Sequence, residues 1–177
     1  MIDGRTEKRV DDSRTVMTEM IMPNDTNPLN NLMGGNLMRW MDVAGGICAG
    51  RHAEQHVVTA SVDHVSFDSA IKVGDVITIQ AQLTRAWGTS MEVYMEVFAA
   101  DARGRNHRKA NHAYMTFVAL DEETMKPTPV PKLIPLTSQE ESLYESAARR
   151  REIRLILSGR IQASEAKEVK EYFSALK

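Results

Sequence analysis

The sequence predicts an α+β fold: an antiparallel sheet of about five to six strands, one long buried helix, and a C-terminal helical extension. Three observations carry this. Residues 37–53 (LMRWMDVAGGICAGRHA) are apolar around most of a helical circumference, the mark of a buried helix. Four segments after it alternate with period two, as half-buried strands do. The turns between the last three are short enough for antiparallel hairpins. Strand, helix and then a run of strands is α+β order and not βαβ alternation.

Taken in order, residues 1–13 form a polar leader expected to fray. Residues 14–22 alternate and read as a strand, with Val16, Thr18, Met20 and Met22 on one face. Residues 23–36 (PNDTNPLNNLMGGN) hold two prolines, two glycines and five asparagines, and read as a long loop. The helix over 37–53 carries three glycines, each costing roughly 1 kcal/mol relative to Ala, so something packs very close to it. Strands follow at 57–65, 75–87, 91–101 and 108–120, with Ile77, Ile79, Ala81 and Leu83 sharing one face of the second. Pro127, Pro129, Pro131 and Pro135 exclude a helix or central strand over 121–136. Thr137 and Glu140 fit a capping box that opens a helix over about 138–158. A last helix follows Ser164, with Val169, Tyr172, Phe173 and Leu176 on one apolar face. The main domain is therefore 1–136 and the extension 137–177.

Composition narrows the function. Twenty-two Lys and Arg against 24 Asp and Glu give a formal net charge of −2, which lacks the basic excess of a nucleic-acid binder. The single Cys forms no internal disulfide and suits a reducing compartment. The N-terminus has no apolar signal region, and no run approaches a membrane span, so the expectation is a cytoplasmic protein.

Few residues carry chemistry. Asp42 is the one carboxylate inside the apolar helix, and helical spacing puts Gly45, Gly46 and Ala49 on its face. Either the acid is satisfied locally and the glycines admit another helix, or the stripe makes room for a ligand that Asp42 faces. Gly34-Gly35, just before the helix, suit an oxyanion site at its positive end, or merely close a loop. Asn24, Asn27, Asn30 and Asn31 are ordinary turn residues by type. Cys48 reads as a small buried hydrophobe. Asp63 and His64 read as a structural pair on a strand. The five histidines show no metal-ligand spacing, so no metal site is expected. The Arg103, Arg105, His107, Arg108 and Lys109 cluster reads as a solvated turn ahead of a phosphate site.

Six short stretches, in order, resemble the acyl-CoA thioester hydrolases with the hotdog fold. They are Met22-Pro23-Asn24-Asp25-Thr26-Asn27; Gly34-Gly35; Trp40-Met41-Asp42-Val43-Ala44-Gly45; Val58-Thr59-Ala60-Ser61-Val62-Asp63; Phe67 with Gly74-Asp75; and Thr89-Ser90-Met91. The resemblance spans roughly residues 14–136. It implies a hotdog fold, a long helix wrapped by an antiparallel sheet. It implies hydrolysis of acyl-CoA to free CoA and a carboxylic acid, within fatty-acid and lipid metabolism. No cofactor is implied, since coenzyme A is part of substrate and product. The site would lie between subunits of a homo-oligomer, a dimer at least and a trimer of dimers by family habit, with Asn27 and Asp42 supplied by different protomers. The sequence departs from the family at Met33 and at Ser69-Ala70, which would tune substrate fit.

The mechanism expected on that basis has Asp42 as general base or nucleophile and Asn27 orienting water or carbonyl. Gly34 and Gly35 supply oxyanion donors. Arg51, His64, Ser66, Phe67, Thr89 and Ser90 are the expected CoA contacts, and the glycine stripe an expected channel. Two other classes compete. A non-catalytic acyl-CoA binder would bind without hydrolysis, and a hotdog hydratase would leave the thioester intact.

Overall fold

A computed structural model describes residues 6–175, the side chains of His64 and Ala175 excepted. The elements run β1 (Glu7–Arg9), β2 (Thr15–Met20), α1 (Gly34–Ala53), β3 (His56–Phe67), β4 (Asp75–Trp87), β5 (Ser90–Asp101) and β6 (Arg108–Leu120). They close with β7 (Lys132–Ile134), α2 (Ser138–Leu157) and α3 (Lys167–Ala175). Residues through Ile134 form one compact unit and residues from Pro135 a second.

In the first unit, five strands make an antiparallel sheet in the order β2-β4-β5-β6-β3. Period-two patterning decides which face is buried. Ile77, Ile79, Ala81 and Leu83 of β4 lie in register with Ala99, Val97, Met95 and Val93 of β5. On β6, Ala113, Met115, Phe117 and Ala119 extend the same face, and all twelve side chains are at most 1% exposed. Helix α1 packs across every strand of the sheet. It buries Leu37, Trp40, Met41, Ala44, Cys48 and Ala49 there.

Gly45 shows why the helix carries glycine. A Cβ at this position would stand 2.8 Å from Cζ of Phe117 and 3.3 Å from Sδ of Met95. The ring of Phe117 occupies the space that the glycine leaves, so the stripe is filled by β6 and is not the expected channel.

Two further expectations are corrected. Residues 7–13 do not fray: β1 pairs in parallel with β7, Val10 and Ser13 are buried, and Lys8 bonds to Glu54 and to the carbonyl of Arg51 at the end of α1. The helix begins at Gly34 and not at 37, because first-turn positions need no intrahelical acceptor for their N–H groups and so tolerate glycine. In the second unit, the Thr137–Glu140 capping box opens α2 as expected, with Glu140 N–H donating to Thr137 Oγ1 at 3.2 Å. On α3, Tyr172 is 45% and Phe173 60% exposed in the single chain. Leu176 lies outside the described residues.

Candidate active site

The loop before α1 is held tightly despite its composition. Met33 N–H and Asn36 Nδ2 both donate to the carbonyl of Asp25, at 2.9 and 3.3 Å. Leu32 N–H donates to Ile71 O at 2.7 Å, tying the loop to the segment between β3 and β4. Within it, Asn27 Oδ1 accepts the N–H groups of Leu29 (3.0 Å) and Asn31 (3.2 Å). The oxygen is consumed by the turn, which leaves the Nδ2 amide of a partly buried Asn27 to donate elsewhere. Asn30 has φ of 57°, a left-handed position that asparagine tolerates, so its role is the turn itself.

At the helix entrance the N-cap Met33 offers no side-chain cap. Gly34 and Gly35 are the first two helical residues, and their N–H groups have no intrahelical acceptor. They stand at the positive end of a 20-residue helix. A Cβ on Gly34 would meet the ring of Phe67 at 3.2 Å, while Gly35 faces open space.

Asp42 lies eight residues further along, about 12 Å up the helix. It is exposed in the single chain and not buried, as a carboxylate inside an apolar helix had suggested. Its Oδ1 accepts the hydroxyl of Thr59 on β3 at 2.5 Å. On this side of α1 the apolar side chains of Met38, Val43 and Ile47 are also exposed, as is Val62 further along β3. β3 is an edge strand with no neighbour on its outer side among the described residues. An acid bonded to a hydroxyl thus sits within uncovered apolar surface. Thr59 was not assigned a role from sequence; strand alternation placed it opposite Val58 and Ala60, but nothing local ranked it above other threonines.

The remaining expected residues are dispersed. Phe67 joins Gly34, Leu37 and Ile71 around a cavity of about 300 Å³. Ser66 donates to Asp68, and its carbonyl accepts Asn111 Nδ2. Arg51 is tied to the N-terminal arm, donating to Arg14 O (3.3 Å) and Thr15 Oγ1 (3.2 Å). Thr89 lies in the β4–β5 turn, where its carbonyl accepts Ala119 N–H. Ser90 opposes Val118 on β6, which in turn opposes Val58 on β3, so this turn shares the end of the sheet that holds Thr59. The side chain of His64 is outside the described residues, and its neighbour Asp63 accepts Ser61 Oγ at 2.6 Å. No bond joins Asn27 to Asp42 within the chain.

Other reactive groups are engaged structurally. Burial pushes the Cys48 thiol up to about 12. Burial also lowers the pKa of His52, whose Nε2–H donates to Pro131 O at 2.8 Å. In the basic cluster, Arg105 pairs with Asp101, Arg108 with Asp75 and Lys109 with Glu96. Among the described residues no group of three or more His, Cys, Asp or Glu is placed to hold a metal ion. No helix there is long and apolar enough to cross a membrane.

A long helix laid across an antiparallel sheet, with an acid on its open side, is the architecture of a hotdog thioesterase. The thioesterase superfamily model matches residues 29–104. The uncharacterized acyl-CoA thioester hydrolase YkhA of Bacillus subtilis is 37% identical over 139 residues, 78% of this chain and 80% of that protein. The cytosolic acyl coenzyme A thioester hydrolase of Mus musculus is 37% identical over 136 residues, 75% of this chain but 35% of that longer protein. An apo-hexameric acyl-CoA thioesterase superposes with a TM-score of 0.83 at 37% identity, covering 86% of this chain and 97% of its own. An acyl-CoA hydrolase from Staphylococcus aureus, in complex with butyryl coenzyme A, coenzyme A and coenzyme A disulfide, gives 0.81 at 35% identity over 95% and 99%. The same hydrolase is also known with an aspartate, a threonine or an asparagine replaced by alanine. The chain belongs to the acyl-CoA thioester hydrolases of the thioesterase superfamily. It has the hotdog fold and is a thioester hydrolase.

Proposed function

We propose that the chain hydrolyses acyl-CoA to free coenzyme A and a carboxylic acid at a site shared between two subunits. One observation carries this reading: Asp42, bonded to Thr59, is exposed amid uncovered apolar side chains beside an unpaired strand edge. A second copy docked there would cover the apolar surface, enclose the acid and bring its own Asn27 loop to it. The hexameric state of a related thioesterase supports extending the dimer to a trimer of dimers.

Asp42 takes a proton from water as the water oxygen bonds to the thioester carbonyl carbon. Thr59 holds the carboxylate in place. Asn27 Nδ2 of the other subunit donates to the water or the carbonyl. The charge that builds on the carbonyl oxygen is met by the Gly34 and Gly35 N–H groups of that same other subunit, at its helix dipole's positive end, since within one protomer they stand too far from Asp42 to share a carbonyl with it. The C–S bond then breaks, and the departing thiolate takes the proton back from Asp42. These steps use water and protein groups, and the proposed enzyme needs no metal or bound cofactor; coenzyme A enters and leaves with the substrate. Phe67, Ser66, His64, Thr89 and Ser90 are the proposed CoA-side contacts, whereas Arg51 is better explained as a brace for the N-terminal arm. A cytoplasmic place is supported by the cytosolic relatives, and a role in fatty-acid and lipid metabolism belongs to the same proposal.

The test is free-thiol release from a chain-length series of acyl-CoAs. Wild type should release thiol, and Asp42→Asn should fall by at least ~10²-fold, the usual scale for loss of a general base. Tight binding without release by wild type would instead mark a non-catalytic binder.

A further inference from the structure

One cation on the open side of α1 has no carboxylate. Arg39 is exposed one turn before Asp42, on the face that also carries Gly35 and Val43. Its guanidinium stands 5.5 Å from the ring of Trp40, and no acid lies within ion-pair distance of it among the described residues. In the single chain, water satisfies such a group. Covered by a second copy it needs an anion, because an unpaired charge in an apolar interface is strongly destabilising.

The shared site decides where that anion comes from. There, Asp42 of one subunit faces Gly35 of the other, and two-fold symmetry adds the reverse contact. The two contacts together set the α1 helices antiparallel, with Met38 and Arg39 midway, beside the axis. Helical side chains lean towards the N-terminus of their own helix. Arg39 therefore leans towards its own Gly35, four residues or about 6 Å away along the helix, a distance its side chain spans. At that level stands Asp42 of the other subunit. The carboxylate has room for it: Thr59 bonds Oδ1, no described residue bonds Oδ2, and a carboxylate accepts at several positions. Two Arg39 and two Asp42 then balance in charge.

The other charged groups around Asp42 are engaged or turned away. On β3, Asp63 accepts Ser61 Oγ at 2.6 Å, and His56 shares the face of Val58, opposite Thr59. The side chain of His64 is outside the described residues. In the Asn27 loop, Asp25 Oδ2 accepts Met22 N–H at 3.0 Å. Further along α1, Arg51 is tied to the N-terminal arm.

We propose that Arg39 pairs across the subunit boundary with Asp42 of the other subunit and keeps that carboxylate charged and oriented for proton abstraction. The proposal rests on the shared-site reading. Enclosing an acid in an apolar interface favours its neutral form, which is no base, and a neighbouring cation restores the charged form. Arg39 is thus a positioning residue that acts through Asp42.

The test is kcat/KM for thiol release, followed from about pH 5 to 9, for wild type, Arg39→Met, Arg39→Lys and Asp42→Asn. Arg39→Met should move the acid limb up by at least about one pH unit, a tenfold loss below the limb, and keep the alkaline plateau. Arg39→Lys should hold the limb near wild type. An unmoved limb in Arg39→Met, or an equal loss at every pH, overturns the pair. Arg39→Met is then co-expressed with an excess of Asp42→Asn under distinct tags, and the mixed assembly is isolated. Nearly every working acid now belongs to an Arg39→Met subunit whose partner supplies Arg39. The wild-type limb should return. A limb shifted as far as in Arg39→Met alone places the pair within one subunit and overturns the contact across the boundary. Asp42→Asn as active as wild type overturns instead the reading on which the proposal rests.

Discussion

Replacing Gly45 with alanine sets two effects against each other. Alanine is the better helix former by about 1 kcal/mol, so an open site would be stabilised. Here the new Cβ lies 2.8 Å from Phe117 Cζ and 3.0 Å from Cε2, well inside the roughly 3.5–4.0 Å at which carbons attract. Phe117 is 1% exposed and pinned between the helix and the sheet, so its ring has no free volume to enter. Overpacking a filled core costs about 1–3 kcal/mol, which outweighs the helical gain. The net expectation is a loss of up to about 2 kcal/mol, or up to roughly 8 °C in Tm for a chain of this size. The assay is thermal and urea unfolding at one fixed protein concentration, because assembly contributes to apparent stability. Adding Phe117→Leu should relieve the clash, so the pair should be less destabilised than the sum of the two single changes. A Gly45→Ala protein that melts above wild type would refute the packing argument.

Thr59→Val keeps shape but removes the hydroxyl that bonds Asp42, and should lower kcat about tenfold with the fold intact; unchanged kcat would deny Thr59 a positioning role. Cys48, buried with its thiol raised to about 12, should resist a water-soluble disulfide reagent in the native protein and react fully on unfolding. Rapid labelling of the native state would contradict this. His52 has a lowered pKa in the fold, so the unfolded chain binds its proton first. The stability tied to this residue is complete above the ordinary histidine value of 6.5 and is lost as pH falls below it towards the lowered folded pKa. His52→Gln, which can still donate to Pro131 O, should flatten that part of a stability–pH profile; an unchanged slope would show that other groups set it.

The sheet, the central helix and the capping box were legible because period-two and helical patterning are local. What was hidden depended on distant partners. β1 and β7 pair across more than a hundred residues, and neither a polar leader nor a proline-rich stretch announces a strand. The glycine stripe looked like a channel because Phe117, which fills it, comes from a strand far along the chain. The apolar circumference of α1 promised full burial, yet Val43 and Ile47 are exposed. Their hydrophobicity fits a second copy better than the chain's own core, and Asp42 shares that side. The acid stood out as the one carboxylate in an apolar helix and Asn27 through a short motif, whereas Thr59 is singled out only by its bond to Asp42.

The central claim is that Asn27 and Asp42 act together from different subunits. Asn27→Ala and Asp42→Asn, each inactive alone, are co-expressed with distinct tags and the mixed assembly is isolated for thiol-release assays. In a two-fold dimer the mixed species carries one doubly altered site and one intact site. Random pairing then predicts recovery of about a quarter of wild-type activity, and about half in the purified mixed dimer. Mixed dimers that form and remain as inactive as either parent would contradict a shared site.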